Sequence, residues 1–168
     1  MNTSIPTALT KAELEMLWHL AADKLVYEAG SLLGASTIAL AQTAKIVVAV
    51  DPHDGYPRKD PSPTWELFDR NLRMHGVRGK VQPIRATLAD APPKAAYGLA
   101  FADLTGEYDI TMDFLMAARH VKWVAVHDYG RAGCEGATRA VDQWLKTFKR
   151  RVTRVDTLII LEDQWKRD

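Results

Sequence analysis

Short apolar runs alternate along the chain with longer stretches in which apolar residues recur every three or four positions. The runs suit strands covered on both faces, and the stretches suit amphipathic helices laid against them. That alternation predicts βαβ units and an α/β class. The expected architecture is a single Rossmann-like domain, with a mostly parallel central sheet of about six or seven strands flanked by helices. A first helix is predicted from Thr10, because Thr10 and Glu13 have capping-box spacing and Leu14, Leu17, Trp18 and Ala21 share a face. Strands are predicted at 25–28, 45–50, 81–84, 97–102 and 122–126. A helix is expected over about 34–42, and four prolines make 51–63 a surface loop. Ser62 and Pro63 suit the N-cap and first position of a helix presenting Trp65, Phe68 and Leu72 and stopping near Gly76. A helix over about 107–119 carries Ile110, Phe114, Leu115 and Ala118 on one side. The next carries the stripe Ala137, Ala140, Val141, Trp144, Leu145 and Phe148. The tail 151–162 supplies one or two final strands, with a hairpin as one option.

With 168 residues the chain supports one domain with a real core. It divides into an N-terminal helix (1–22), a ligand-binding core (25–128), and a C-terminal helix with the final strands (129–168). A formal net charge of +1 gives no global attraction to nucleic acid or to an anionic membrane. No apolar stretch has the length of a membrane span, and 1–10 lacks the pattern of a secretion signal. Cys134 has no partner for an internal disulfide, so a cytoplasmic setting is expected, and the residue reads as an incidental small side chain near a loop. Lys146, Lys149, Arg150, Arg151 and Arg154 cluster near a helix end without aromatic residues for stacking. They read as a solvated face rather than a nucleic-acid surface. Exposed apolar surface around Trp18 or Trp165 leaves a homodimer open.

Ligands in an open parallel sheet bind at the carboxyl ends of the strands, where strand order reverses. The chain's polar residues fall there. The turn after the first strand reads Glu28-Ala29-Gly30-Ser31-Leu32-Leu33-Gly34-Ala35-Ser36-Thr37. Gly30 allows a tight turn with close backbone approach, and Gly34 allows close packing at the helix start. Asp51 ends the second strand, where a carboxylate can accept both hydroxyl hydrogens of an adenosine ribose. Asp103 ends the fourth strand, and His127-Asp128 ends the fifth. Each has a plainer reading as turn chemistry, a helix cap or a hydrogen-bonded pair; their coincidence on one sheet edge favours a site.

The Glu28–Thr37 segment resembles the first motif of class I S-adenosylmethionine-dependent methyltransferases, closest to the macrocin-type O-methyltransferase-like subgroup. The resemblance continues through Val50-Asp51-Pro52 and Val126-His127-Asp128-Tyr129, and it spans roughly Leu25 to Trp144. It implies S-adenosylmethionine as cofactor and a small-molecule acceptor. Glu28, Gly30 and Ser31 would line the methionine part, with Gly34, Ser36 and Thr37 starting the helix beneath. Asp51 would hold the ribose, Pro52 and His53 would lie near the adenine, and Thr87 would offer a hydroxyl beside Ala86. Asp103 would lie beside the sulfonium and the acceptor.

The chain departs from the subgroup at Asp103-Leu104-Thr105-Gly106-Glu107-Tyr108, which lacks a second Asp and a His. Some relatives bind a divalent metal with acids at the ends of the fourth and fifth strands. Here Asp103 and Asp128 with His127 make an incomplete set for magnesium, which prefers oxygen, so the metal stays open. For chemistry, His127 is the candidate general base, Asp128 would orient it or hold a metal, and Asp103 would stabilise the sulfonium. Three other readings stay open. One is a noncatalytic S-adenosylmethionine-binding partner or sensor. Another is an enzyme that cleaves the cofactor. The third is an NAD-dependent oxidoreductase, although the glycine spacing is not Gly-x-Gly-x-x-Gly.

Overall fold

The computed structural model describes residues 5–55 and 63–164. Helix α1 (Lys11–Ala21) begins at Thr10 with both arms of the capping box closed. Strand β1 (Leu25–Ala29) leads into α2 (Ala35–Thr43), and β2 (Ile46–Val50) is followed by α3 (Trp65–Met74), with residues 56–62 of the expected 51–63 loop outside the described residues. Strand β3 (Val81–Ile84) runs to β4 (Leu99–Ala102), which α4 (Tyr108–Ala117) joins to β5 (Trp123–Val126). After α5 (Glu135–Thr147) the chain ends in the hairpin β6 (Arg150–Val155) and β7 (Leu158–Asp163).

The sheet has seven strands in the order β3-β2-β1-β4-β5-β7-β6. The first five are parallel, while β7 enters antiparallel beside β5. Strand order therefore reverses between β1 and β4, and the carboxyl ends at that seam form the natural ligand edge. One sheet face packs under α1, α2 and α3 around Leu17, Ile38, Val47, Phe68, Leu72 and Phe101. The other packs under α4 and α5 around Tyr27, Phe114, Val124, Val141 and Trp144. Both faces are covered, which is why β2, β4 and β5 are almost wholly apolar.

One expectation shifts. Thr64, not Ser62, is the N-cap of α3, so the helix starts at Trp65 and Pro63 stays outside it; Ser62 lies outside the described residues. No helix forms between β3 and β4, where Pro92 and Pro93 and the Thr87–Asp90 turn hold an irregular crossing. Trp18 is half-buried, with an edge-on ring contact to His19, and Trp165 lies outside the described residues. Among the described residues no helix is long and apolar enough to cross a membrane.

Candidate cofactor and acceptor site

The β1–α2 turn is shaped by two glycines in the left-handed region, Gly30 at φ 82° and Gly34 at φ 91°. Gly30 lies against the backbone of the β4 end: a Cβ there would sit 2.0 Å from the carbonyl oxygen of Asp103. A Cβ on Gly34 would meet the Phe68 ring at 3.2 Å. The first keeps the loop low over β4, and the second lets α2 pack on α3.

Asp51 binds this loop. Its Oδ2 accepts the Ser31 and Leu32 N–H groups, each at 2.8 Å, and its Oδ1 accepts the His53 N–H at 2.6 Å. A carboxylate offers about four lone-pair sites. With three engaged, one ribose hydroxyl can be accepted without change. The two expected would require one loop bond to give way.

Glu28 is wholly buried beneath the loop and accepts the Thr37 hydroxyl at 2.6 Å. Burial pushes its carboxyl up to about 8; the Ser36 and Thr37 hydroxyls oppose the rise, and the charges of Asp103 and Asp51 add to it. Glu28 Oε1 and the buried Ser31 hydroxyl have no hydrogen-bond partner. Two unmatched polar atoms at the floor of a glycine loop are what a polar ligand would satisfy. Ser36 and Thr37, both buried, form the first turn of α2 below them.

His53 is fully buried, with its ring between Trp65 and Phe68 and Nδ1 3.0 Å from the Thr64 hydroxyl. Its side chain is therefore part of the core, and any ligand contact must come from its backbone. Pro52 is exposed beside it. Thr87 is exposed and its hydroxyl donates to Asp90 Oδ2 at 2.6 Å, closing a turn.

At the β4 and β5 ends, His127 Nδ1 lies 2.9 Å from Asp103 Oδ1 and 3.4 Å from Asp128 Oδ1. Its Nε2 faces Glu13 Oε2 of α1 at 3.5 Å, and the ring is only 1% exposed. Burial opposes protonation, yet the hydrogen bond and charge of Asp103, with the charges of Asp128 and Glu13, outweigh it and raise the ring above its ordinary range. A base must reach its substrate. The imidazole is closed off; Asp103, 26% exposed, is the more accessible member of the pair. Glu13 escaped the reading of the sequence as a site residue. Its capping-box spacing is visible there, but its approach to the His127 ring, far away along the chain, is not.

No family model and no curated protein sequence matches this chain. Solved structures do. Cofactor-bound Rv0187 from MTB aligns over 95% of this chain and 83% of its own, with 22% identity and a TM-score of 0.75. The O-methyltransferase NovP aligns over 89% and 78%, with 18% identity and a TM-score of 0.74. TomG from Streptomyces achromogenes, an O-methyltransferase of tomaymycin synthesis in complex with SAM, aligns over 92% and 81%, with 20% identity and a TM-score of 0.66. At these identities the likeness establishes the shared fold.

The remaining expectation is the metal. One ligand atom each from Asp103, His127 and Asp128 lies within 4.8 Å of the others. The cluster is already engaged by an arginine, however: Arg131 Nη1 lies 2.7 Å from Asp128 Oδ1. A guanidinium on one ligand repels a divalent ion, and magnesium takes an all-oxygen shell. The donor set as arranged does not fit a divalent metal. Cys134 precedes α5 as its N-cap; burial pushes its thiol up, away from thiolate reactivity. The basic cluster is internally engaged too: Arg150 lies over Trp144 and donates to the Val121 carbonyl, and Arg154 lies over Tyr129.

Proposed function

We propose that this chain transfers a methyl group from S-adenosylmethionine to an oxygen of a small molecule. The observation that carries the reading is the position of Asp51. A dinucleotide needs free N–H groups at the glycine loop for its pyrophosphate. Here the Ser31 and Leu32 N–H groups are taken by a carboxylate. Asp51, Asp103 and Asp128 lie along the same edge, an arrangement suited to a cationic sulfonium and hostile to phosphate. The fold shared with O-methyltransferases such as NovP and TomG supports the same choice.

S-adenosylmethionine supplies an electrophilic methyl group for in-line displacement, so the protein's task is alignment and acceptance of the acceptor's proton. Glu28, Gly30 and Ser31 receive the methionine end above the helix start at Gly34, Ser36 and Thr37. Asp51 accepts a ribose hydroxyl, the backbones of Pro52 and His53 border the adenine, and Thr87 stands at its outer rim. Asp103 meets the acceptor hydroxyl, and His127, with Asp128 beside its ring, holds Asp103 in place. This moves the base from His127 to Asp103, because the imidazole is buried and faced by carboxylates.

Calorimetric titration with S-adenosylmethionine and with NAD tests the cofactor, and S-adenosylhomocysteine release across phenol and alcohol acceptors tests the reaction. The expected result is binding of the sulfonium alone, with turnover on an oxygen acceptor. Binding of NAD overturns the reading. Sulfonium binding without turnover favours a second reading, a noncatalytic binding module. Thr105, standing where the resembled subgroup carries a second acid, is the observation behind that alternative.

A further inference from the structure

We propose that Glu13 of α1 is a positioning residue for the strand-end site, its buried carboxylate bracing the His127 ring so that His127 in turn holds Asp103. The contacts run in series: Glu13 Oε2 lies 3.5 Å from His127 Nε2, a charge contact that leaves Nε2 without a hydrogen bond, and His127 Nδ1 is hydrogen-bonded at 2.9 Å to Asp103 Oδ1. Ionised carboxylates accept hydrogen bonds and cannot donate them. A ring faced by carboxylates at both nitrogens is held best when both nitrogens carry hydrogen.

Glu13 is itself fixed before it meets the ring. Its Oε2 accepts the Thr10 N–H at 2.7 Å, and its Oε1 accepts both the N–H and the hydroxyl of Thr157 at 2.8 Å. The Thr10 hydroxyl donates in turn to Asp156 at 2.6 Å. The start of α1 and the β6–β7 turn thus converge on one carboxylate that is 0% exposed. Both oxygens already accept N–H groups, which an amide can match on one side only, so the carboxylate serves the cap and the β6–β7 turn as well as the ring. The other charged groups around His127 are Asp103 and Asp128, with Arg131 beyond, paired to Asp128. That Asp103 faces a ligand rests on the function proposed above; the bracing of His127 does not.

The test is nitrogen and carbon NMR titration of the His127 ring in the full chain without ligand, in wild type, Glu13→Gln and Thr157→Ala. Glu13→Gln keeps one accepting oxygen for Thr157, loses the Thr10 bond and removes the charge, and the His127 midpoint is expected to fall by about one pH unit. Thr157→Ala removes one hydrogen bond from Glu13 and keeps its charge, so it lowers stability and leaves the midpoint in place. An unchanged midpoint in Glu13→Gln, or an equal shift in Thr157→Ala, overturns the proposal. If Glu13→Gln fails to fold, the wild-type ring decides: hydrogen on both nitrogens at pH 6 supports the bracing, and a bare Nε2 overturns it. Failure of the wild type to bind S-adenosylmethionine sinks the proposed function and leaves this ring measurement standing.

Discussion

Gly30 and Asp103 meet backbone to backbone across the β1–β4 seam, where a Cβ on Gly30 would lie 2.0 Å from the Asp103 carbonyl oxygen. Gly30 also sits at φ 82°, which costs an L-residue roughly 1–2 kcal/mol. Gly30→Ala therefore combines strain with a collision that moves the loop off β4. The expected loss is about 3 kcal/mol or more in urea unfolding, together with loss of S-adenosylmethionine binding. A variant with wild-type midpoint and affinity would show that the loop does not need its close seat on β4.

Asp51→Ala leaves three backbone N–H groups without their acceptor. Each such group costs about 1–3 kcal/mol when dry and less where water reaches it. A stability loss of about 1–3 kcal/mol is expected, with cofactor affinity at least about tenfold weaker. Faster amide exchange at Ser31 and Leu32 would trace the effect to the loop. Unchanged exchange with lost affinity would assign Asp51 to the ligand alone.

The seven-strand plan was legible because physics acts locally in most of it. All-apolar β2 and β5 announce strands covered on both faces, and Thr10 with Glu13 announces a helix start. The strand-end acids could be placed on one edge from order alone. Their partners could not. The Thr157 contact to Glu13 spans 144 positions, and no local pattern marks it. His53 follows Asp51-Pro52 as a ligand residue would, yet Trp65 and Phe68 bury its ring. A tertiary aromatic cluster overrode the local reading. His127 likewise reads as a base from its ordinary pKa and its place at a strand end; α1 closes over it in space.

His127 contributes a pH-dependent part of the stability. Its folded pKa is raised, so its contribution is fully present below about 6.5 and fades as pH rises through the higher folded value. His127→Ala leaves the buried Glu13 without the ring it faces, a change that costs about 3 kcal/mol in comparable buried pairs. Urea unfolding at pH 6 and pH 9 checks this: the gap between wild type and variant should narrow at the higher pH. A constant gap would mean that the ring contributes by packing alone.

Glu28 makes the last prediction, and its sign is opposite to that of an ordinary paired carboxylate. Burial lifts its pKa to about 8, so the folded state holds a proton that the unfolded state has already lost near pH 5. Folding then binds protons, and stability falls as pH rises from about 4.5 to 8, by on the order of 4 kcal/mol from this group. Glu28→Gln removes that part of the slope, since an amide fits the Thr37 hydroxyl without ionising. The same group couples to the ligand. A sulfonium and an ammonium brought near Glu28 favour its charged form, so binding at pH 7 should expel a proton. Calorimetry with S-adenosylmethionine in two buffers of different ionisation enthalpy reads that proton directly. Wild type should release up to about one proton per ligand, and Glu28→Gln should release almost none. Equal release in both would place the titrating group elsewhere. No release in wild type would mean that the cationic end of the ligand does not lie over Glu28.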